Sequence, residues 1–429
     1  MAISPYLVAH FAKSHLWHAS MLLFGFFLTE ACGLDARTMG FVMAGALACN
    51  GVIDAALGRH WSRRTIGAAE ACRLQAWGVP MACLSFLLFC ATPLFASDLR
   101  LGWALATLLL FRASYPFIDV PQNALVALIA PSVDAQCSLL TRRNIASGFA
   151  GLSVSAIGAA LLIHGHGGIL YLGWAALLSL SVCCTAYWLL RAEPPVATAP
   201  IAPDARQDIL PPFVLVLGTM ALMVFANATF RAMEPYYAAF AGKGIGLLMW
   251  AAIGGIVCQP LWSGCRRRFG MTGVLTCASG LLLLAAFTLA SPLRTVPIGV
   301  AIAGTGFGSG AGGLWLILWS MMIAQAATGR ATRYVGTFTG VSKAAQGAAM
   351  LLLGDVLSGS AYRVTLADPF SPPSLLMIGT TGIIAATCIA LSAAIMIVGR
   401  TQRHPSPVNT DGPGGGTSAG EISPPVSGS

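Results

Sequence analysis

Four charged side chains interrupt stretches that are otherwise apolar. Arg112 and Asp119 stand seven residues apart in LLLFRASYPFIDVPQNAL (108–125), Asp54 lies in CNGVIDAALG (49–58), and Lys343 lies in TFTGVSKAAQGAAM (337–350). On an uninterrupted helix seven residues are about two turns, which puts Arg112 and Asp119 on one face roughly 10 Å apart along the axis. A charge at a bilayer centre costs roughly 2.5–3.5 kcal/mol on insertion scales, so such residues face a bundle interior or a wet cavity and pair there. Two readings follow. In one, Asp54 and Asp119 bind a coupling proton or cation and help hold a polar solute, with Arg112 paired to one of them or to the solute. In the other, the charges form an ion-pair network that only locks helices together.

Weaker candidates surround these four. His15 and His18 fall at a depth that matches the acids, or simply sit at the membrane interface. Arg231 and Glu234 in FANATFRAMEPYY (225–237) are three residues apart, a spacing that allows pairing on one helical face. They serve either as a local surface pair or as a gate and solute contact. Lys343 reads as the one lysine well inside an apolar helix, level with the acids; the alternative is snorkelling to the interface. GTGFGSGAGG (304–313) lacks a following phosphate-binding lysine, and its small residues suit close helix packing.

The elements that must position these residues follow from composition. The chain of 429 residues is 56% hydrophobic and 9% charged, against about 25% charged in soluble domains. It reads as an all-α integral membrane protein. Its 12 cysteines, without metal-ligand spacing, read as buried free thiols, and no metal site is expected. The opening residues lack the basic region of a cleavable leader. At about 20 residues per span, twelve spans are expected near 12–32, 38–58, 68–96, 101–130, 144–164, 168–190, 212–240, 245–264, 272–291, 296–326, 335–359 and 371–399.

The net charge of +9 is no sign of nucleic-acid binding, because its arginines cluster in loops. RHWSRR (59–64), LLTRRN (139–144), CRRRFG (265–270), TGRATR (328–333) and GRTQRH (399–404) all follow even-numbered spans. Connections after odd spans carry about one basic residue each: Arg37, Arg100, Lys243, Arg294 and Arg363. The positive-inside rule then places both termini in the cytoplasm. The expected organisation is a six-helix half at 1–192, a Pro/Ala-rich cytoplasmic loop at 193–211, a second half at 212–400 and a disordered tail at 401–429. GRHWSRRTIG (58–67) and GCRRRFGMTG (264–273) repeat a basic loop at the same place in each half, as parallel repeats do.

These residues resemble the major facilitator superfamily, and within it the glycoside–pentoside–hexuronide:cation symporters that include the melibiose permeases. DAALG (54–58) is similar to the end of that family's second helix, and PFIDVPQNALVALI (116–129) to its fourth-helix Asp-x-Pro segment. LLTRRNIASGFAG (139–151), QPLWSGCRRRFG (259–270) and TGRATRYVGTFTGVSK (328–343) are similar to its fifth-helix entry, its eighth-helix exit and its eleventh-helix lysine. The resemblance implies twelve helices, alternating access and a central sugar site, with Asp54, Asp119, Lys343 and Arg143 in cation and sugar binding. Asn50 stands where that family often has another second-helix acid, and Ser14 or His15 stands near the place of its first-helix acid. SMMIAQAATG (320–329) replaces an acidic pair. Fewer oxygens remain than a hard cation such as sodium takes, while a proton needs only one or two carboxylates.

The sequence therefore predicts a secondary active transporter of a small polar solute, a sugar or sugar derivative by family, coupled to a proton or cation. Two alternatives are a carrier of a lipid-like anionic amphiphile and a non-transporting sensor or assembly protein. It is expected to be no enzyme and to work as a monomer in the plasma (inner) membrane. Its expected partners are its solute and the bilayer, with no cofactor beyond a coupling proton or sodium ion.

Overall fold

The computed structural model describes residues 3–64, 66–130, 132–163, 169–192, 211–240, 246–326, 331–366, 368 and 370–403. The expected central loop up to residue 210, the tail from 404 onward, Lys243 and Arg330 lie outside the described residues. The described residues are helical apart from turns and short connections.

Twelve spans are traced. They are α1 (Ile3–Leu22, prolonged by Phe24–Phe26 and a π-turn Phe27–Ala31), α2 (Ala36–Arg64), α3 (Ala68–Cys90), α4 (Ser97–Ile129), α5 (Val133–Gly158) and α6 (Ile169–Arg191). The second half comprises α7 (Phe213–Phe240), α8 and α9 within Gly246–Ala290, α10 (Pro297–Ala326), α11 (Ala331–Gly359) and α12 (Pro372–Arg403). Helix Gly246–Ala290 is 45 residues long and divides at Gly270. There φ is 71°, a conformation glycine adopts without steric penalty. Nine described helices are long and apolar enough to cross a membrane, the divided one counting once. The other two spans, α1 and α11, carry charges of their own, among them Lys13 and Lys343.

The polarity is inside out relative to a soluble protein. Val52, Trp77, Leu180, Val257, Phe287 and Ile298 are exposed, while Asn50, Asp54, Arg112 and Gln122 are fully buried. Lipid accepts the first set; the second needs partners within the bundle.

Two boundaries differ from expectation and both matter. Helix α1 begins at Ile3, not near residue 12, because the Tyr6–Ala9 turn packs in the core. That places Lys13 in mid-helix. Helix α5 begins at Val133, so the expected loop LLTRRN is helical and Arg143 is buried. Helix α4 loses one backbone hydrogen bond at Pro116 while Tyr115 keeps helical dihedrals, φ −59° and ψ −37°. Pro116 has no N–H to give, and the ladder is carried past it by Tyr115 N–H to the Phe111 carbonyl and Asp119 N–H to the Tyr115 carbonyl, each 2.9 Å.

The halves meet along α2 and α11 through glycines. A Cβ built on Gly58 would lie 2.8 Å from Gly336 Cα, one on Gly40 3.2 Å from Gly354 Cα, and one on Gly51 2.7 Å from the Gly340 carbonyl oxygen. The glycine run of α10 packs as expected: Gly304 and Gly308 lie against α8, Gly306 and Gly310 against α9. Small residues let backbones approach where lipid supplies no hydrophobic drive.

Candidate functional site

Between the halves lies a cavity of about 240 Å³, lined by α1, α4, α5, α7, α8, α10 and α11. Its wall carries a chain of charges. Asp119 stands in α4 three residues after Pro116. Its Oδ1 is 2.8 Å from Lys13 Nζ and its Oδ2 is 2.6 Å from Lys343 Nζ. Lys343 also lies 3.2 Å from Asp54 Oδ2 on α2. The side-chain amides of Asn123 and Asn50 donate to Asp119 at 2.8 Å and to Asp54 at 3.3 Å. The Trp17 ring lies 4.5 Å from Lys343 Nζ.

Asp54, Asp119, Asn50 and Lys343 thus come together as the sequence suggests. Lys13 joins them unannounced and bridges Asp119 to α1. The signal was in the text: apolar residues flank it on both sides, in YLVAHFAKSHLW (6–17), once the helix is allowed to start early.

Arg112 does not pair with either acid. Its Nη2 reaches Met21 Sδ at 3.9 Å, its guanidinium stands 5.4 Å from the Trp17 ring centre and 5.5 Å from that of Phe111, and its Nε and Nη1 have no hydrogen-bond partner. Arg143 lines the cavity with its guanidinium 3.9 Å from the Trp319 ring centre.

The histidines separate. His18 lines the cavity and bonds Ser147 Oγ at 3.1 Å. His15 turns away from it, between the Phe11 carbonyl at 2.9 Å and Ser153 Oγ at 2.6 Å. Arg231 and Glu234 do not form an ion pair. Arg231 lines the cavity, while Glu234 Oε1 accepts the Leu248 N–H at 3.2 Å. Leu248 belongs to the first turn of α8, whose unpaired N–H groups attract a carboxylate.

Beyond Met21 and Arg231 the cavity is closed at the end of the bundle far from Ile3. Tyr236 of α7 bonds Thr29 through its hydroxyl at 3.0 Å and packs on Phe26 with ring centres 5.3 Å apart. Tyr362, in the α11–α12 connection, donates to Glu30 at 2.7 Å, and Arg363 pairs with Glu30 at 3.2 Å. Burial and then the bond to Glu30 hold the Tyr362 hydroxyl well above the ordinary tyrosine pKa, so it stays a donor. Every one of these contacts joins α1 to the second half.

Twelve membrane spans in two six-helix halves surround a charged central cavity. The chain belongs to the MFS/sugar transport protein family, whose model matches residues 5–399. A segment of 174 residues is 27% identical to the putative glycoside/cation symporter YagG of Escherichia coli (strain K12), covering 40% of this chain and 38% of that one. The chain therefore matches less than half the length of that relative. The fold is shared with a bacterial homologue of the iron transporter ferroportin in an outward-facing state (TM-score 0.64, 13% identity, 93% of this chain and 100% of that chain). It is also shared with the proton:xylose symporter XylE bound to 6-bromo-6-deoxy-D-glucose (TM-score 0.59, 13% identity, 93% and 95% covered). At such identities the likeness is one of fold alone. The protein is an integral multi-pass membrane protein of a transporter family, not of an enzyme family.

Proposed function

We propose that this chain is a secondary active transporter of a small polar solute, a sugar or sugar derivative, coupled through Asp54 and Asp119. The observation that carries this reading is the Lys343–Asp119 pair at 2.6 Å. Lys343 belongs to the second half and Asp119 to the first, so rocking one half against the other must stretch or remake that pair. A proton on either carboxylate releases Lys343 from it, and a solute in the cavity meets both partners. The charge chain then links ion, solute and reorientation. A proton suits it better than sodium, because the lysine ammoniums already fill the oxygens that a hard cation would need. The cavity, at about 240 Å³, is smaller than the roughly 300–1,000 Å³ of drug-sized pockets, which favours a small solute over an acyl chain.

We place the protein in the plasma (inner) membrane with both termini in the cytoplasm. The closed far end is then external and the cavity stands on the inward side of its cycle. The test is proton movement in reconstituted proteoliposomes carrying a pH-sensitive dye, with candidate sugars added to wild type and Asp119→Asn. A solute-triggered pH change that Asp119→Asn loses supports coupling at this site. Solute uptake that is equal in the two proteins refutes it.

A further inference from the structure

We infer that the transported solute bears an anionic group, a carboxylate or a phosphate, held by Arg143 of α5 and Arg231 of α7. This rests on the transport reading above and adds the charge of the cargo. Four basic side chains line the cavity, Lys13, Arg143, Arg231 and Lys343, against one carboxylate, Asp119. That carboxylate is taken at both oxygens by the two lysines, and the acid behind it, Asp54, faces Lys343. Among the described residues neither arginine forms an ion pair with an acid. Glu234, the carboxylate nearest Arg231 in sequence, is bonded to the start of α8.

Arg143 makes the deficit concrete. It is 5% exposed, and its Nε and Nη1 have no hydrogen-bond partner. The Trp319 ring face offsets only part of the desolvation of a buried guanidinium. Arg231 stands on the same cavity from the opposite half. A planar fork of N–H donors fits carboxylate and phosphate oxygens two at a time, which a lysine cannot do. An anion between these arginines supplies the missing countercharge and ties the two halves together around the occupied site. The Asn227 and Gln346 amides and the Trp315 ring remain for the neutral part of the same molecule.

The test uses the purified full-length protein and reads thermal stability against D-glucose, D-glucuronate, D-glucose 6-phosphate and inorganic phosphate. At least one anion is expected to stabilise where D-glucose does not, and Arg143→Gln or Arg231→Gln to weaken that anion's apparent affinity at least tenfold. A response to glucuronate alone marks a carboxylate cargo; a response to the phosphates alone marks a phosphate. A second measurement needs no ligand. Asn227→Cys is reacted with an anionic and a cationic methanethiosulfonate, each rate taken relative to a free thiol. The anionic reagent is expected to be favoured, and the preference to vanish when both arginines are glutamine. The inference is overturned if no anion stabilises, if D-glucose stabilises as well as its acids, or if the cationic reagent is as fast. Should neutral sugars bind and enter proteoliposomes, the transport reading stands and only the anion falls.

Discussion

Lys343 and Asp119, 224 residues apart in the chain, are joined at 2.6 Å across the boundary between the two halves. The same carboxylate holds Lys13 at 2.8 Å, so one acid bridges two buried ammoniums, of which only Lys343 has a second acid, Asp54, beside it.

Removing that acid should be costly. Asp119→Asn leaves Lys13 without a carboxylate and Lys343 with Asp54 alone, and breaking a buried pair on one side costs about 3–5 kcal/mol. The variant is expected to unfold at a clearly lower temperature in detergent. Adding Lys13→Met to it removes one orphaned charge and should recover part of the loss. Equal melting of the single and double variants would show that Lys13 contributes nothing to the network.

Arg112 should behave in the opposite sense. It is fully buried, touches Met21 and two rings, and pairs with no acid among the described residues. Arg112→Met breaks no ion pair and removes a desolvated charge, so stability should rise by about 1–4 kcal/mol, the range found when buried ionic groups give way to apolar ones. A fall in melting temperature would mean that the guanidinium has a countercharge in the folded state.

The far end of the bundle should loosen when its contacts are cut. Tyr236→Phe deletes the 3.0 Å bond to Thr29, and Glu30→Gln deletes the charge that Arg363 faces. A buried hydrogen bond is worth about 1 kcal/mol net. Each change should therefore raise the far-side labelling rate of Ser147→Cys by a membrane-impermeant maleimide by about fivefold. An unchanged rate would place the closure elsewhere.

The glycine seam can be probed by single methyls. Gly58→Ala puts a Cβ 2.8 Å from Gly336 Cα, whereas Gly45→Ala meets nothing within 4 Å. Overpacking of this kind typically costs about 1–3 kcal/mol, so the first should lower the melting temperature and the second should not.

The span pattern was legible because membrane helices announce themselves by length and apolarity, and Asp54, Asp119 and Lys343 were legible because each breaks such a run. What escaped depends on geometry between helices. Lys13 was missed because the first span was expected from residue 12, which left the lysine at its mouth, whereas α1 begins at Ile3 and carries it in mid-helix. Arg112 and Asp119 have the spacing to share a face, but Asp119 is held by lysines from α1 and α11, which no spacing within α4 could reveal. Arg231 and Glu234 have the right spacing to pair, but Glu234 answers to the first turn of α8, which no local pattern could reveal. The charge pattern put Arg143 in a loop and only the family resemblance put it in a site, because α5 begins at Val133, eleven residues before the expected start.

The glycine contacts of α2 and α11 run from Gly40 to Gly58, about 27 Å of helix at 1.5 Å per residue and close to the roughly 30 Å of a hydrocarbon core. Interdigitated side chains work like gear teeth, since sliding them requires many rotamers to disengage together. Here backbone meets backbone, and displacement trades one set of shallow dispersion contacts for another. In the proposed transport cycle such a seam would act as a plain bearing running the depth of the membrane, with the ion pairs and the tyrosine contacts on either side resisting its turning.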